Sequence, residues 1–410
     1  MSLSRRALMG TAAALPAIGR ARAQGTPAKS TTIKIGVLND QSGVYRDISG
    51  PTSTACVRQA VEDFGAQGLT VEVVAGDHQN KPDIGTAIAR QWIDREGVDM
   101  IIDVANSALG LAINGVCKEK DRAYINSTAA TADLTGPACA PTTIHWTYDT
   151  WMLAHSTGAA MVQAGGDTWF FVTADYAFGT ALERDTTAFV TKAGGKVIGS
   201  VRHPFPGNTD FSSFLLQAQA SKAKVIGICN AGTDTVNTIK QAAEFGITQS
   251  GTKLAGLLVF INDVHALGLP AAQGLVLTES FYWDLNDRTR AFTKRVLPKT
   301  GGVHPAMSHA GCYAGALHYL KACAAMGAAD AKKSGAETIA RMKSMPTDDD
   351  AFGVGTIRAD GRKLHPVYLF EVKTPSESKA PWDYYKLIAT TPADQAFRPL
   401  ADGNCPLIRA

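Results

Sequence analysis

The chain has 410 residues, 45% of them hydrophobic and 19% charged, with a formal charge of +3. That hydrophobic share supports a packed core, and so weak a charge gives no electrostatic case for nucleic acid. The length favours two domains over one.

The first residues, MSLSRRALMGTAAALPAIGRARAQ, carry Arg5 and Arg6 ahead of an apolar run over 7–18, then Ala21-Arg22-Ala23. The run is shorter than the roughly 20 residues a spanning helix needs. This is the pattern of an export signal over 1–23, cut near Ala23. The twin arginines after Ser4 read as a Tat-type signal, or as a Sec signal that happens to carry two arginines. The segment holds four arginines and no acid, so its removal takes +3 to −1. No later run reaches the length of a membrane span, and no basic cluster is interleaved with aromatics.

The stretch IKIGVLNDQSGVYRDISG opens the remainder. A strand is expected over 33–38 and a helix over 52–64. Alternation over 69–74 gives a second strand. Pro82 begins a helix over 82–95, as proline does in a first turn. A buried strand over 98–104, a helix over 108–119 and a strand over 122–125 follow. Repeated strand–helix units mean a parallel sheet with helices on both faces. Residues 135–150, TGPACAPTTIHWTYDT, break the rhythm and read as a crossover. A second series has strands over 168–173, 196–201, 224–228, 254–260 and 274–278. Its helices cover 181–192, 211–219 and 234–245. Helical stretches over 289–296 and 307–326, a short helix ending near 345, and strands over 355–358 and 367–372 complete the chain.

Catalytic signatures are missing. The glycine turn at Gly36 lacks G-x-G-x-x-G, and there is no P-loop, G-x-S-x-G or H-E-x-x-H. The nine histidines are scattered, His304 and His309 lie five apart, and each reads as a solvated or core residue. Asp348–Asp350 reads as a solvated loop. No metal, cofactor or catalytic residue is expected. Of seven cysteines, Cys56, Cys229 and Cys312 read as core. Cys139 and Cys405, each beside a proline, are the favoured disulfide in an exported protein, with Cys117–Cys139 as the rival.

An exported two-lobed α/β chain without catalytic machinery suggests a binding protein, and particular stretches make the likeness specific. IKIGVLNDQSGVY resembles the opening of the leucine/isoleucine/valine-binding family of periplasmic ABC-transporter binding proteins, I-K-I-G-x-x-x-P-x-S-G-x-Y, with Asp40 where proline is usual. YINSTAATADLT, FFVTADYAFG, DFSSFLLQAQASKAKVI and IKQAAEFGI match in order, over about 31–373. The resemblance implies the type I periplasmic-binding-protein fold: two lobes, each a parallel-sheet three-layer sandwich, joined by three hinge crossovers. Lobe 1 is expected over 31–145 plus about 275–350, and lobe 2 over 146–272 plus about 355–410. It implies a periplasmic monomer that hands its ligand to permease subunits and is not an enzyme.

By the same resemblance a ligand carboxylate is held by Ser107 and by Thr128, Ala129 and Ala130, with Tyr45 in the first loop. Ser107 is equally suited to cap its helix. Lobe 2 contributes Tyr176 and Phe178, and the turn Asn230, Ala231 and Gly232, with Asp234 capping the next helix. Amino-acid binders of the family carry a lobe-2 glutamate for the ammonium, and here Val259 and Phe260 stand in that stretch. Asp263 substitutes only if the alignment slips. An apolar group cannot compensate a buried ammonium. Phe260 and the SFYWD aromatics, Tyr282 among them, are either a stacking wall or hinge packing. The expected ligand is therefore a carboxylate without an ammonium, an aromatic acid first and a branched 2-oxo acid as a variant. A branched-chain amino acid is the runner-up, and a neutral amide or urea is third. An enzyme on this fold would need a reactive pair in the cleft. A ligand-sensing receptor subunit would share the cleft but dock a receptor.

Overall fold

The computed structural model describes residues 32–65 and 67–408, so the export signal expected over 1–23 lies outside the described residues. The first sheet contains β1 (Thr32–Asn39), β2 (Thr70–Asp77), β3 (Met100–Asp103), β4 (Ala123–Asn126) and β5 (Thr143–His145). Its order is β2-β1-β3-β4-β5, all parallel. The strand β5 lies inside the stretch expected as crossover alone. It is only three residues long, too short for alternation to be read.

The second sheet contains β6 (Thr168–Ala174), β7 (Lys196–His203), β8 (Val225–Cys229) and β9 (Lys253–Gly256). Its order, β7-β6-β8-β9, repeats the pattern of the first. The strand expected over 254–260 ends at Gly256, and a helix Ile261–Leu267 follows. Helical turns over Thr150–Gln163 were likewise not expected. Both sheets reverse direction of growth beside their first strand, and ligands of such sheets sit at the strand C-termini there. Strands β3, β4 and β8 are buried at every residue, as parallel strands covered on both faces must be.

Two antiparallel sheets come late. One orders β10 (Val276–Glu279), β14 (Val367–Val372) and β15 (Tyr385–Thr391). The other orders β11 (Thr347–Asp349), β12 (Gly353–Ile357) and β13 (Lys363–Leu364). Residues 355–410 thus divide by contact. The strand β14 pairs with β10, whereas Arg362 bridges His145 of the first sheet and Cys405 is bonded to Cys139. The disulfide is the favoured pair and not Cys117–Cys139. Cys56, Cys229 and Cys312 are buried and free.

Three local readings change. Gly36 lies mid-strand, not in a turn, and a Cβ there would meet the Trp92 ring at 2.6 Å. The helix expected over 82–95 is α-helical over Pro82–Gln91 and widens to a π turn over Trp92–Glu96. Asp348–Asp350 is not simply solvated. Asp348 and Asp350 pair with Arg288 at 2.8 and 3.0 Å, and Asp349 is buried, accepting from the Ala351 and Phe352 N–H groups.

Candidate functional site

Every strand that ends beside the switch points sends residues into one cavity. Tyr45 and Ile48 follow β1, Ala105 and Ser107 follow β3, and Thr128, Ala129 and Ala130 follow β4. Tyr148 comes from the segment after β5, Tyr176 and Phe178 follow β6, Ala231 follows β8 and Leu258 follows β9. They surround about 220 Å³ of space, counted out to the mouth. The walls are in contact almost everywhere.

The first-sheet wall carries hydrogen-bond donors. Asn106, not Ser107, caps the helix Ser107–Lys120, its side chain accepting from the Leu109 N–H at 3.0 Å. Ser107 is the first helical residue, so its N–H and that of Ala108 have no carbonyl four residues back. The Ser107 hydroxyl accepts from the Thr131 N–H at 3.2 Å and keeps its own hydrogen to donate. Thr128 lines the cavity, yet its hydroxyl donates to Asp103 and its carbonyl accepts from the Tyr148 hydroxyl at 2.6 Å. Its expected role as a hydroxyl donor to a ligand is therefore taken up by Asp103. Asp103 also receives Asn39 at 3.1 Å and Ser49 at 2.9 Å. Burial pushes its carboxyl up, against the pull of these donors. Asp103 and Val104 take φ of 84° and 62°, a region costly for a β-branched residue and typical of ligand sites.

The loop that carries Tyr45 is shaped by Asp40. Its carboxylate accepts from the Gly43 N–H at 2.6 Å and the Tyr45 N–H at 2.8 Å, and it also holds Asn80. A residue that departs from the family's proline thus does a turn residue's work. Tyr148 is placed from far along the chain. Arg362, fully buried, donates to the Thr147 carbonyl at 2.8 Å and to Asp149 at 3.2 Å, fixing both neighbours of Tyr148.

The two walls touch through Tyr45 and Tyr176, whose hydroxyls are 2.5 Å apart. Phe205, in the loop after β7, stacks on both. Its ring lies 4.1 Å from Tyr176 at 11° and 5.3 Å from Tyr45 at 29°. Burial raises both phenols, so they are neutral donors and acceptors. Below them the Val44 carbonyl accepts from the Thr233 N–H at 3.2 Å and the Thr233 hydroxyl at 3.0 Å. Gly232, at φ 60°, makes that approach feasible. A Cβ there would stand 2.6 Å from the Val44 oxygen and 3.0 Å from the Tyr45 ring.

Of the twelve expected site residues, Tyr45, Ser107, Thr128, Ala129, Ala130, Tyr176, Phe178 and Ala231 meet in the cavity. Gly232 abuts it. Asn230 does not reach it. Its side chain is spent on His203, Thr238 and Thr235 at 3.2, 3.0 and 2.8 Å. Phe260 lies one layer back, edge-on to Tyr148 at 5.7 Å. Tyr282 packs with Phe370 and Tyr385 at 5.5 and 5.1 Å and donates to the Trp382 carbonyl at 3.3 Å. The SFYWD aromatics therefore pack and do not wall the cavity. Asp263 is spent on its own helix, accepting from the Phe260 N–H at 2.9 Å. Asp234 does not cap its helix, where Gly232 stands at the N-cap. Ile48, Ala105, Tyr148, Leu258 and Phe205 were not anticipated. Only Ala105 and Leu258, apolar residues two positions past strand ends, left any trace in the sequence.

No acidic or basic side chain lines the cavity. Among the described residues no group of histidine, cysteine or acid could hold a metal ion, and no helix is long and apolar enough to cross a membrane. Burial pushes the Cys56 and Cys312 thiols well up, far from a reactive thiolate.

Comparison with known proteins agrees with this geometry. A family model described as periplasmic binding protein matches residues 32–379. A periplasmic binding protein from Burkholderia mallei is 49% identical, with a TM-score of 0.88 over 92% of this chain and 100% of that one. A periplasmic ligand-binding protein of a branched-chain amino acid ABC transporter from Burkholderia xenovorans LB400 is 39% identical, with a TM-score of 0.79 over 92% and 99%. A solute-binding protein of an ABC transporter from R. palustris, in complex with 4-hydroxybenzoate, shares the fold at 24% identity and a TM-score of 0.79 over 89% and 98%. No curated protein matches the chain.

Proposed function

Since the chain belongs to the periplasmic binding protein family, in its branched-chain amino acid ABC-transporter branch, we propose that its cleft captures a small carboxylate lacking an ammonium group, an aromatic acid by preference. It is a substrate-binding protein of an ABC transporter, and such proteins work in the periplasm and are not enzymes. The finer reading concerns the ligand.

One observation carries it: the cavity between the two sheets has donors for a carboxylate but no carboxylate of its own. The Ser107 hydroxyl and the first-turn N–H groups favour an anion. The rest of the lining is aromatic and apolar, with Tyr45, Tyr148 and Ile48 from the first-sheet side and Tyr176, Phe178 and Leu258 from the second. Aromatic rings offer stacking and apolar surface, and the lining has no acid to balance an ammonium beside the ligand's carboxylate. The fold-sharing R. palustris protein holds 4-hydroxybenzoate, a ligand of this class. With the walls nearly in contact, the ligand enters an opened cleft and replaces part of the ring contact at Tyr45, Phe205 and Tyr176. Contacts to both lobes then favour closure. The permease subunits of the transporter are the proposed partners of the closed monomer.

A thermal-shift screen tests this. Ligand at a hundredfold excess over Kd adds about 2.7 kcal/mol to folded-state stability, which shifts the melting point by several degrees. Benzoate or a cinnamate should shift it, and leucine, valine, acetamide and urea should not. A shift with leucine or valine alone would instead favour the branched-chain reading suggested by the 39% identical relative.

A further inference from the structure

A second acid beside the cleft has no partner. Asp234 is the second residue of the helix Thr233–Glu244, is 1% exposed, and neither carboxylate oxygen has a hydrogen bond. Buried polar groups are nearly always bonded, so such an orphan calls for an explanation. The nearest candidate is His203, whose Nδ1 lies 4.0 Å away. That ring is already satisfied: Nε2 accepts from Asn230 at 3.2 Å, which leaves the hydrogen on Nδ1, 3.0 Å from the Pro204 carbonyl. Burial lowers its pKa, so it is no counter-ion at neutral pH.

The place of Asp234 links it to the ligand. The three residues before it line the cavity (Ala231), abut Tyr45 (Gly232) and bond the Val44 carbonyl (Thr233). The other acids of the region are engaged. Asp103 holds three donors, Asp263 holds the Phe260 N–H, and Glu279 accepts from the Tyr385 hydroxyl at 3.4 Å. A helix N-terminus makes an unpaired acid tolerable there but supplies it no bond.

This inference rests on the aromatic-acid reading. With the carboxylate held at Ser107 on the first wall, the far end of the ring points to the wall that carries Asp234. We propose that Asp234 accepts a hydrogen bond from a hydroxyl on that end, so that the preferred ligands are hydroxylated aromatic acids. A site with a buried unpaired acceptor rejects an analogue that cannot supply the donor far more strongly than it rejects a change of size.

Calorimetric titration of the purified protein with benzoate and with its 3- and 4-hydroxy and 3- and 4-methyl derivatives tests the proposal. The wild type should prefer one hydroxy acid over the methyl acid of the same position by at least tenfold. Asp234→Leu should reduce that preference to below threefold while leaving benzoate within threefold of wild type. Asp234→Asn, which keeps a neutral acceptor, should fall between. Equal binding of the hydroxy and methyl acids by the wild type overturns the role of Asp234 and leaves the aromatic-acid reading intact. So does a preference that survives Asp234→Leu. Binding of leucine with no benzoate of any kind overturns both.

Discussion

The two walls of the cleft each bury an aspartate, and the two are handled in opposite ways. Asp103 at the end of β3 receives Asn39, Ser49 and Thr128. Asp234 at the start of its helix receives nothing. The first carboxylate is internal cement, since it ties the β1 loop to the loop after β4. The second is left open on the opposite wall. A buried acid with all its donors inside the fold speaks of architecture, and one with none speaks of a partner from outside.

The largest effect should come from breaking the satisfied member. Asp103→Ala leaves all three buried donors without their acceptor and puts alanine at a φ of 84°. It should cost about 3–5 kcal/mol in denaturant unfolding, at roughly 1–3 kcal/mol for each unsatisfied group. The unsatisfied member should behave in reverse. Burial holds the Asp234 carboxyl up to about 7, against about 3.9 in an unfolded chain. Folding therefore binds a proton between those values. The contribution of Asp234 to stability is complete below about pH 4 and is lost as pH rises through 7. Asp234→Asn should match the wild type near pH 4 and gain on it by on the order of 2–4 kcal/mol by pH 8. A variant that loses stability at pH 8 would mean that Asp234 has a structural partner.

Closure of the two walls gives smaller effects. Gly232→Ala places a methyl against the Val44 carbonyl and the Tyr45 ring. Ligand affinity should fall about tenfold, equal to about 1.4 kcal/mol, and the melting point of the ligand-free protein should fall as well, since alanine is strained at a φ of 60°. Tyr45→Phe removes only the hydroxyl bonded to Tyr176. It should weaken binding by about 0.5–1.5 kcal/mol, the ordinary net worth of one hydrogen bond. A loss as large as that of Gly232→Ala would place the Tyr45 hydroxyl on the ligand itself.

The asymmetry also explains what could be read from the sequence. Alternation and helix punctuation located β1, β8 and the helix Met307–Met326 to within a residue at each end. The first wall was legible through the family resemblance, which carries its binding positions onto ANSALG and NSTAAT, directly after two buried strands. The second wall was legible only in part, at Tyr176, Phe178 and Ala231. Phe260 and Tyr282 look like ligand aromatics, yet both bury for bulk. Phe205 lies in a loop without periodicity, and Tyr148 is placed by Arg362, more than two hundred residues away. Contacts made across chain crossovers leave no mark in local spacing. In the sequence Asp234 reads as a helix cap, since aspartate is favoured at that position. Only the geometry shows its oxygens unbonded.

The most direct test compares two ligands that differ by a single charged group. Titration of the protein with 3-phenylpropanoate and with phenylalanine holds the ring, the chain and the carboxylate constant and adds only the ammonium. A cleft with no acid on its lining should bind phenylpropanoate and take phenylalanine at least a hundredfold more weakly, about 2.7 kcal/mol. Equal or tighter binding of phenylalanine would contradict the account, because it would require an ammonium partner in the cleft that the present reading denies.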